Sequence, residues 1–138
     1  MPIISPTAPS AVNAVSPVKL QTTSNNRAFY VYSGEVDVNN TETTLLSIDD
    51  IGQRDIFIAF EIGSLTLSSD DIELKVKVNG TTIYASKSSS AYIGGAMNGY
   101  DELRFIIPKN TSLELTLQNV TDTSTLDFYA SGYGNYLE

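Results

Sequence analysis

The strongest constraint on the fold is an alternating run of apolar and polar residues that ends in an Asn-Gly pair. Residues 72–78 read IELKVKV, and Asn79-Gly80 separates them from the next segment, Thr81 to Ala85. Alternation with period two places successive side chains on opposite faces of a β-strand. Asn-Gly supplies the two positive φ angles that a type I′ turn requires. The sequence therefore predicts a β-hairpin over residues 72–85.

The same pattern recurs along the rest of the chain, with turn residues between short segments. The predicted strands are Ala28–Val38, Thr43–Ile48, Asp55–Phe60, Ile72–Val78, Thr81–Ala85, Leu103–Ile107, Leu113–Leu117 and Thr125–Ser131. Within them, Gly34 is a candidate β-bulge, and residues 55–60 are apolar on both faces, as in a strand covered by two layers. The segment after Ser131, rich in Gly and Tyr, is expected to trail from the last strand.

Eight short strands without a helical pattern predict an all-β fold. We expect an eight-stranded antiparallel sandwich of the jelly-roll type, preceded by an extended N-terminal arm. An up-and-down barrel is an alternative. An immunoglobulin-like sandwich is disfavoured because the chain has neither Cys nor Trp, which form the core signature of that fold.

Charge and proline divide the chain into an arm, residues 1–28, and a β-sandwich domain, residues 29–138. The arm holds four of the five prolines and no acidic residue, and its charges are Lys19 and Arg27, so its net charge is +2. The domain holds all sixteen acidic residues and six basic ones, so its net charge is −10. Proline fixes φ and favours extended chain at the preceding residue, which predicts an extended arm.

Apolar residues occur along the arm, where a purely polar linker would not need them. We expect these side chains to contact either the domain or another subunit, and they are the first candidate partner-binding residues: Ile3, Ile4, Val12, Val15, Val18 and Leu20.

A long connection, residues 86–101, supplies the second group of candidates. It reads SKSSSAYIGGAMNGYD, and loops of this length in compact domains are usually functional. The partner-binding candidates within it are Tyr92, Ile93, Met97 and Tyr100. The alternative is a loop that folds back over the end of the sandwich.

The composition argues against an enzyme. The chain contains no His and no Cys, so neither a His-dependent nucleophile nor a zinc site built on His or Cys can form. Three acidic pairs lie next to strand ends and are interpreted as solubilising residues: Asp49-Asp50, Asp70-Asp71 and Asp101-Glu102. We expect no catalytic residues, no cofactor and no metal site.

Two weaker patterns have competing interpretations. Asp37 with Asn39, or Asp122 with Asp127, could supply oxygen ligands to Ca²⁺, but neither has the spacing of a calcium loop. Exposed tyrosines could stack on sugars, and the candidates are Tyr84, Tyr92, Tyr100, Tyr129, Tyr133 and Tyr136. Four N-x-S/T matches, at Asn39, Asn79, Asn110 and Asn119, are attributed to the abundance of Asn, Ser and Thr.

Net charge and hydropathy limit the partners. A formal charge of −8 disfavours binding to nucleic acid, because phosphates repel it. No apolar run approaches the roughly 20 residues that a membrane helix needs. The N-terminus lacks the pattern of a signal peptide. We therefore expect no nucleic-acid partner and no membrane partner.

A small jelly-roll domain preceded by an extended arm resembles the decoration, or cement, proteins of tailed-bacteriophage capsids. The features that carry the resemblance are Val78–Thr82 (VNGTT), Ile107–Asn119 (IPKNTSLELTLQN) and the Tyr-Gly-rich C-terminus. The resemblance implies synthesis in the host cytoplasm and a homo-oligomer, favoured to be a trimer. It implies a location on the outer capsid surface of the virion. The implied partners are the major capsid protein or other virion subunits.

Two other functions have to be weighed. One is a glycan- or receptor-binding β-sandwich module of a virion tail, a fibre or an adhesin. The other is a self-sufficient capsid subunit, which is disfavoured because arms that neutralise packaged nucleic acid are dense in Lys and Arg.

Overall fold

The computed structural model describes residues 21–22, 28–66, 68–89 and 102–137, and every regular element in these ranges is a β-strand. The strands are β1 (Gln21–Thr22), β2 (Ala28–Tyr32), β3 (Val36–Val38), β4 (Thr43–Ile48), β5 (Ile56–Ser64), β6 (Asp71–Val78), β7 (Thr81–Ser89), β8 (Leu103–Ile107), β9 (Leu113–Asn119) and β10 (Leu126–Tyr136).

The strands form two sheets, and all the pairings are antiparallel. In sheet A the order is β1-β2-β10-β5-β8, and β3 also pairs with β10. In sheet B the order is β4-β9-β6-β7. Both sheets contribute buried side chains to one hydrophobic core, which defines a β-sandwich.

The strand order is that of a jelly roll. β2 and β3 lie along the same side of β10, with Tyr32 opposite Ser131 and Val36 opposite Phe128. They are therefore two parts of one strand, interrupted at residues 33–35, where Gly34 has a φ of 77°. Counted in this way and without β1, eight strands run in the order 1-8-3-6 in one sheet and 2-7-4-5 in the other. The predicted fold class is confirmed.

The core follows directly from the alternation in the sequence. In β6, Ile72, Leu74 and Val76 are fully buried, and the residues between them are not. The other described core residues come from both sheets and, in the case of Ile51, from the connection between β4 and β5: Phe29, Val31, Val36, Val38, Leu45, Leu46, Ile48, Ile51, Ile56, Ile58, Phe60, Ile62, Ile107, Leu113, Leu115, Leu117, Leu126, Phe128 and Ala130. All of them lie between Phe29 and Ala130.

The predicted hairpin between β6 and β7 is confirmed. Asn79 and Gly80 have φ angles of 51° and 80°, the two left-handed residues of a type I′ turn. The Asn79 side chain also accepts a hydrogen bond from the Ser112 backbone N–H at 2.9 Å, which ties the turn to the start of β9.

Four strands run further than predicted: β5 continues to Ser64 and β9 to Asn119, and β7 and β10 are also extended. β10 was expected to end at Ser131 but continues to Tyr136, because Gly132 and Gly134 lie flat against β5. A Cβ at Gly134 would overlap the backbone carbonyl of Phe57, so these glycines permit close packing and do not end the strand. β7 runs to Ser89, and residues 86–89 of the predicted loop therefore belong to a strand. Residues 90–101 lie outside the described residues.

Two residues of the predicted arm belong to sheet A. Gln21 and Thr22 pair with Tyr30 and Phe29, which places β1 at one edge of sheet A, beside β2. The division at residue 28 stays a prediction. The described residues contain no helix that could cross a membrane.

Candidate functional site

All ten predicted partner-binding residues lie outside the described residues. They are Ile3, Ile4, Val12, Val15, Val18 and Leu20 of the arm, and Tyr92, Ile93, Met97 and Tyr100 of the long connection. Their role stays a prediction. The described part of the chain shows a different candidate, on the outer side of sheet A.

The outer side of sheet A carries a group of tyrosines, which we call the tyrosine face: Tyr30, Tyr32, Tyr129 and Tyr133. In β2 the core takes Phe29 and Val31, and the alternation turns Tyr30 and Tyr32 outward. These two side chains are about half exposed, as is Tyr133 of β10. Large aromatic side chains grouped on an exposed sheet face are typical of interaction surfaces.

The register of the strands leaves a depression among these rings. Ser131 lies opposite Tyr32 on one side and Glu61 on the other. In the next row, Ala59 lies opposite Tyr133. The short side chains of Ser131 and Ala59 stand between taller neighbours and form the floor of a pocket of about 170 Å³.

Carboxylates line the side of this pocket that lies away from β2. Glu102 pairs with Arg104, with 3.0 Å between the Arg104 Nη2 and the Glu102 Oε1. The Tyr133 hydroxyl hydrogen-bonds to Glu102, and this contact, together with burial, raises the pKa of the phenol. The Glu61 side chain, exposed on β5, forms no hydrogen bond or ion pair with another described residue.

The pocket thus combines π faces with negative charge. Tyr30, Tyr32 and Tyr133 supply the rings, and Glu61 and Glu102 supply the carboxylates. A cationic group is the ligand that this combination favours, because both the ring faces and the carboxylates attract it.

Of the other tyrosines predicted to bind sugars, Tyr92 and Tyr100 lie outside the described residues, and Tyr84 and Tyr136 lie away from the tyrosine face. Tyr84 packs edge-on against Phe105, with 5.8 Å between ring centroids, and both are partly buried beside the core. Tyr136 packs in the same way on Phe29 and lies under the Arg54 guanidinium, 4.7 Å from the ring centroid. Tyr84 and Tyr136 are structural residues, whereas Tyr129 and Tyr133 belong to the tyrosine face.

Two of the acidic residues near strand ends form hydrogen bonds within the fold, and Asp101 lies outside the described residues. Asp50 accepts the Gly52 backbone N–H, and Asp70 accepts the Asn119 side-chain amide, both at 2.9 Å. Asp127 lies opposite Asp37 across β10 and β3, and Asp122 does not join them there. The described residues hold no group of three or more acidic side chains placed to bind a metal ion.

The fold buries the asparagine of one of the four N-x-S/T matches. Asn119 is 1% exposed, and its amide donates to Asp70 and to the Ser124 carbonyl. Its oxygen accepts the Thr121 backbone N–H at 2.9 Å. A side chain with these contacts is not accessible to a glycosylating enzyme in the folded protein.

Edge strands provide a second kind of exposed surface. β7 forms one edge of sheet B and β8 one edge of sheet A. Each carries an outward isoleucine, Ile83 at 48% and Ile106 at 68% exposure. Edge strands with exposed apolar side chains are potential sites of strand pairing with another chain.

The comparisons with known proteins define no family. No family model matches the chain, and no curated protein matches it. One solved chain, described with the words "Bacillus endospore appendages form a novel family of disulfide-linked pili", is 13% identical over 87% of this chain and 99% of that chain, with a TM-score of 0.43. A likeness of this degree does not define a function.

The tyrosine face was only partly visible in the sequence. Tyr129 and Tyr133 are among the candidates from the sequence, whereas Tyr30 and Tyr32 are not. The signal lies in AFYVY, where the alternation places Tyr at both outward positions. The pocket itself depends on register between β2, β10 and β5, which the sequence does not state.

Proposed function

We propose that the protein is a virion structural protein, a capsid decoration or cement protein that clamps neighbouring capsid subunits through its arm and its sandwich surface. The partners proposed are the major capsid protein or other virion subunits, and the location is the outer capsid surface. A trimer is the favoured oligomer. Catalysis has no part in this role.

The observation that carries the proposal is the position of β1. Gln21 and Thr22 lie at the edge of sheet A, so the preceding residues start from the rim of the sandwich. Such an arm can contribute contact area, or add its main chain to a neighbour's sheet edge. Repeated weak contacts across a symmetric shell then add up through avidity.

The sandwich surface supports the same role. β7 and β8 leave edges with exposed Ile83 and Ile106, and β7 carries one lysine, Lys87, as an edge-protecting charge. These strands offer sites for contact with a neighbouring subunit. The net charge of −10 on residues 29–138 keeps the rest of the surface solvated, and the +2 arm suits an acidic shell.

Immunogold electron microscopy of purified particles from the source tests this proposal. An antibody against the sandwich should label the capsid shell at regular positions, and mass spectrometry should detect the protein in the same particles. Label confined to tails, to fibres or to the cell surface would overturn the capsid assignment, as would the absence of the protein from particles.

A glycan- or receptor-binding module of a tail, fibre or adhesin is the second candidate, and the tyrosine face is the observation that favours it. Tyrosine rings stack on sugars, and Glu61 can accept hydrogen bonds from hydroxyl groups. A glycan array with the wild-type protein, Tyr30→Ala and Tyr133→Ala tests it. Binding that both variants lose, and that Tyr84→Phe retains, would support this function. An array without hits would remove it.

A further inference from the structure

The start of β1 determines which surface the preceding chain can reach. Gln21 pairs with Tyr30, so residue 20 connects to the sheet at the edge beside β2. Consecutive Cα atoms are 3.8 Å apart, so the Cα of Lys19 lies within about 7.6 Å of the Cα of Gln21. The chain that precedes Gln21 therefore starts beside β2, the strand that carries Tyr30 and Tyr32.

The size of the pocket narrows the kind of occupant. A volume of about 170 Å³ is below the roughly 300 Å³ at which pockets for small molecules begin. Its floor, Ser131 and Ala59, lies two and three strands from the edge at β1. A single long side chain suits this space better than an oligosaccharide does.

The carboxylates beside the pocket favour an occupant with a positive charge. Within the described ranges, Glu61 has no ion-pair partner, whereas Glu102 is already paired with Arg104. Residues 1–20 contain one charged side chain, Lys19, and no acid. A lysine ammonium is attracted both to tyrosine rings and to a carboxylate.

We infer that residues 1–20 dock on the tyrosine face of their own chain, with Lys19 supplying the cation that faces Glu61. The tether raises the effective concentration, so a weak contact is sufficient. A docked arm is withheld from other partners, and a partner that needs the arm must compete for it. Its apparent affinity then falls in proportion to the undocked fraction. The inference concerns the unassembled protein and does not depend on which partner the arm finally binds.

Paramagnetic relaxation in the full-length protein tests the inference. Because the chain has no cysteine, Ala14→Cys accepts one nitroxide label at a defined position in the arm. The amide signals of Ser131 and Glu61, in sheet A, should broaden more than those of Lys75 and Thr116, in sheet B. A mixture of isotope-labelled protein without nitroxide and nitroxide-labelled protein without isotope should show no such broadening.

Charge variants test the role of Lys19 and Glu61. Lys19→Gln and Glu61→Gln should each lower the docking equilibrium constant about two- to fivefold, the size expected of an exposed cation–π contact or ion pair. The matched controls, Lys109→Gln and Glu73→Gln, should leave it unchanged. Equal thermal midpoints for the variants and the wild type exclude unfolding as a cause.

Several outcomes would overturn the inference. Equal broadening in both sheets, or none, would show that the arm does not dock on this face. Broadening in the mixed sample would make the occupant the arm of a second copy. A glycan that shifts the Tyr30 and Tyr133 signals without displacing the arm would assign the pocket to sugars. Each of these results is independent of whether the protein is found on capsids.

Discussion

The Tyr129 ring lies across Gly63, where β10 and β5 run side by side on the outer face of sheet A. A Cβ at Gly63 would overlap the end of this ring. Tyr129 also contacts Tyr32, with 6.1 Å between the ring centroids. The missing side chain at Gly63 therefore lets Tyr129 lie flat and form one end of the tyrosine face.

A methyl group added at Gly63 should lower the free energy of unfolding less than a methyl group added at Gly134 does. At Gly63 the obstacle is the end of a side chain, which can move away at the loss of its packing, so we expect Gly63→Ala to destabilise the fold by about 1 kcal/mol. At Gly134 the obstacle is the Phe57 backbone, which cannot move without breaking the β5–β10 pairing. We expect Gly134→Ala to cost about 3 kcal/mol or more.

Urea denaturation measures both losses, and the double variant Tyr129→Ala with Gly63→Ala provides the control. Without the ring, the methyl group should cost much less than it does in the wild-type background. Equal costs at Gly63 and Gly134, or no relief in the double variant, would contradict the stated contacts.

Asn119 is the polar centre of the turn between β9 and β10. It is buried, and it bonds to Asp70, Ser124 and Thr121 through its side chain. Removing that side chain takes hydrogen bonds from the Asp70 carboxylate, the Ser124 carbonyl and the Thr121 backbone N–H, and it leaves a gap at a buried position. We expect Asn119→Ala to lower the free energy of unfolding by about 2–4 kcal/mol. Thermal unfolding measures the loss, Asn40→Ala serves as the exposed control, and a change below about 0.5 kcal/mol would contradict this role.

Asp127 should make the protein less stable as the pH rises. Its hydrogen bond with Asp37, followed by burial and the charges of Asp37 and Glu35, raises its pKa from 3.8 to about 6. The folded state therefore binds more protons than the unfolded state between pH 3.8 and 6, and this contribution to stability is lost as the pH rises through that window. Because solvent screens the pair, we expect a loss of about 1 kcal/mol.

Asp127→Asn removes this titration. The variant should be more stable than the wild type at pH 7, and the gain should shrink as the pH approaches 4. Denaturation at both pH values measures the difference, with Asp49→Asn as the exposed control. A variant that loses stability at pH 7 would show that the ionised pair is favourable in the folded protein.

Glu42 should have the opposite pH dependence. Its hydrogen bonds with Lys77 and with the buried Thr116 hydroxyl lower its pKa, and the Lys77 Nζ lies 2.7 Å from its Oε2. The ionised Glu42 side chain stabilises the folded state fully above pH 4.5, the pKa of this carboxyl in the unfolded chain. This stabilisation is lost as the pH falls through the lower pKa of Glu42 in the folded state.

Glu42→Gln should therefore cost about 1 kcal/mol at pH 7 and progressively less in acid. Urea denaturation from pH 3 to pH 7 measures this, and Glu73→Gln, whose ion pair with Lys75 is longer at 3.9 Å, is the control. If the two variants lose equal stability at pH 7, the Glu42 contacts contribute nothing beyond an ordinary surface ion pair.

The sequence predicted the sandwich well because its signals are local. Alternation placed Ile72, Leu74 and Val76 in the core, and Asn79-Gly80 fixed a hairpin that the structure confirms. The structural role of a glycine is harder to predict from the sequence. Gly132 and Gly134 are turn signals by composition, but they permit close contact with β5 in the middle of a strand.

The candidate site could not be predicted in the same way. Tyr32, Ser131 and Glu61 are neighbours because β2, β10 and β5 adopt a particular register, and β2 and β10 are far apart in sequence. Tyr30 and Tyr32 could have been recognised as outward residues from the alternation alone. Their pairing with two carboxylates around one pocket required the strand order.

Binding to a stripped capsid tests the central proposal most directly. Virus particles that carry the protein are first stripped of it with mild denaturant. Purified full-length protein, or protein lacking residues 1–27, is then added back in increasing amounts. The core residues that the structure describes lie between Phe29 and Ala130, so we expect the truncated sandwich to fold, which circular dichroism checks. We predict that full-length protein saturates the shell and that the truncated protein does not bind. Saturation by the truncated protein with unchanged affinity would contradict the role of the arm as a clamp.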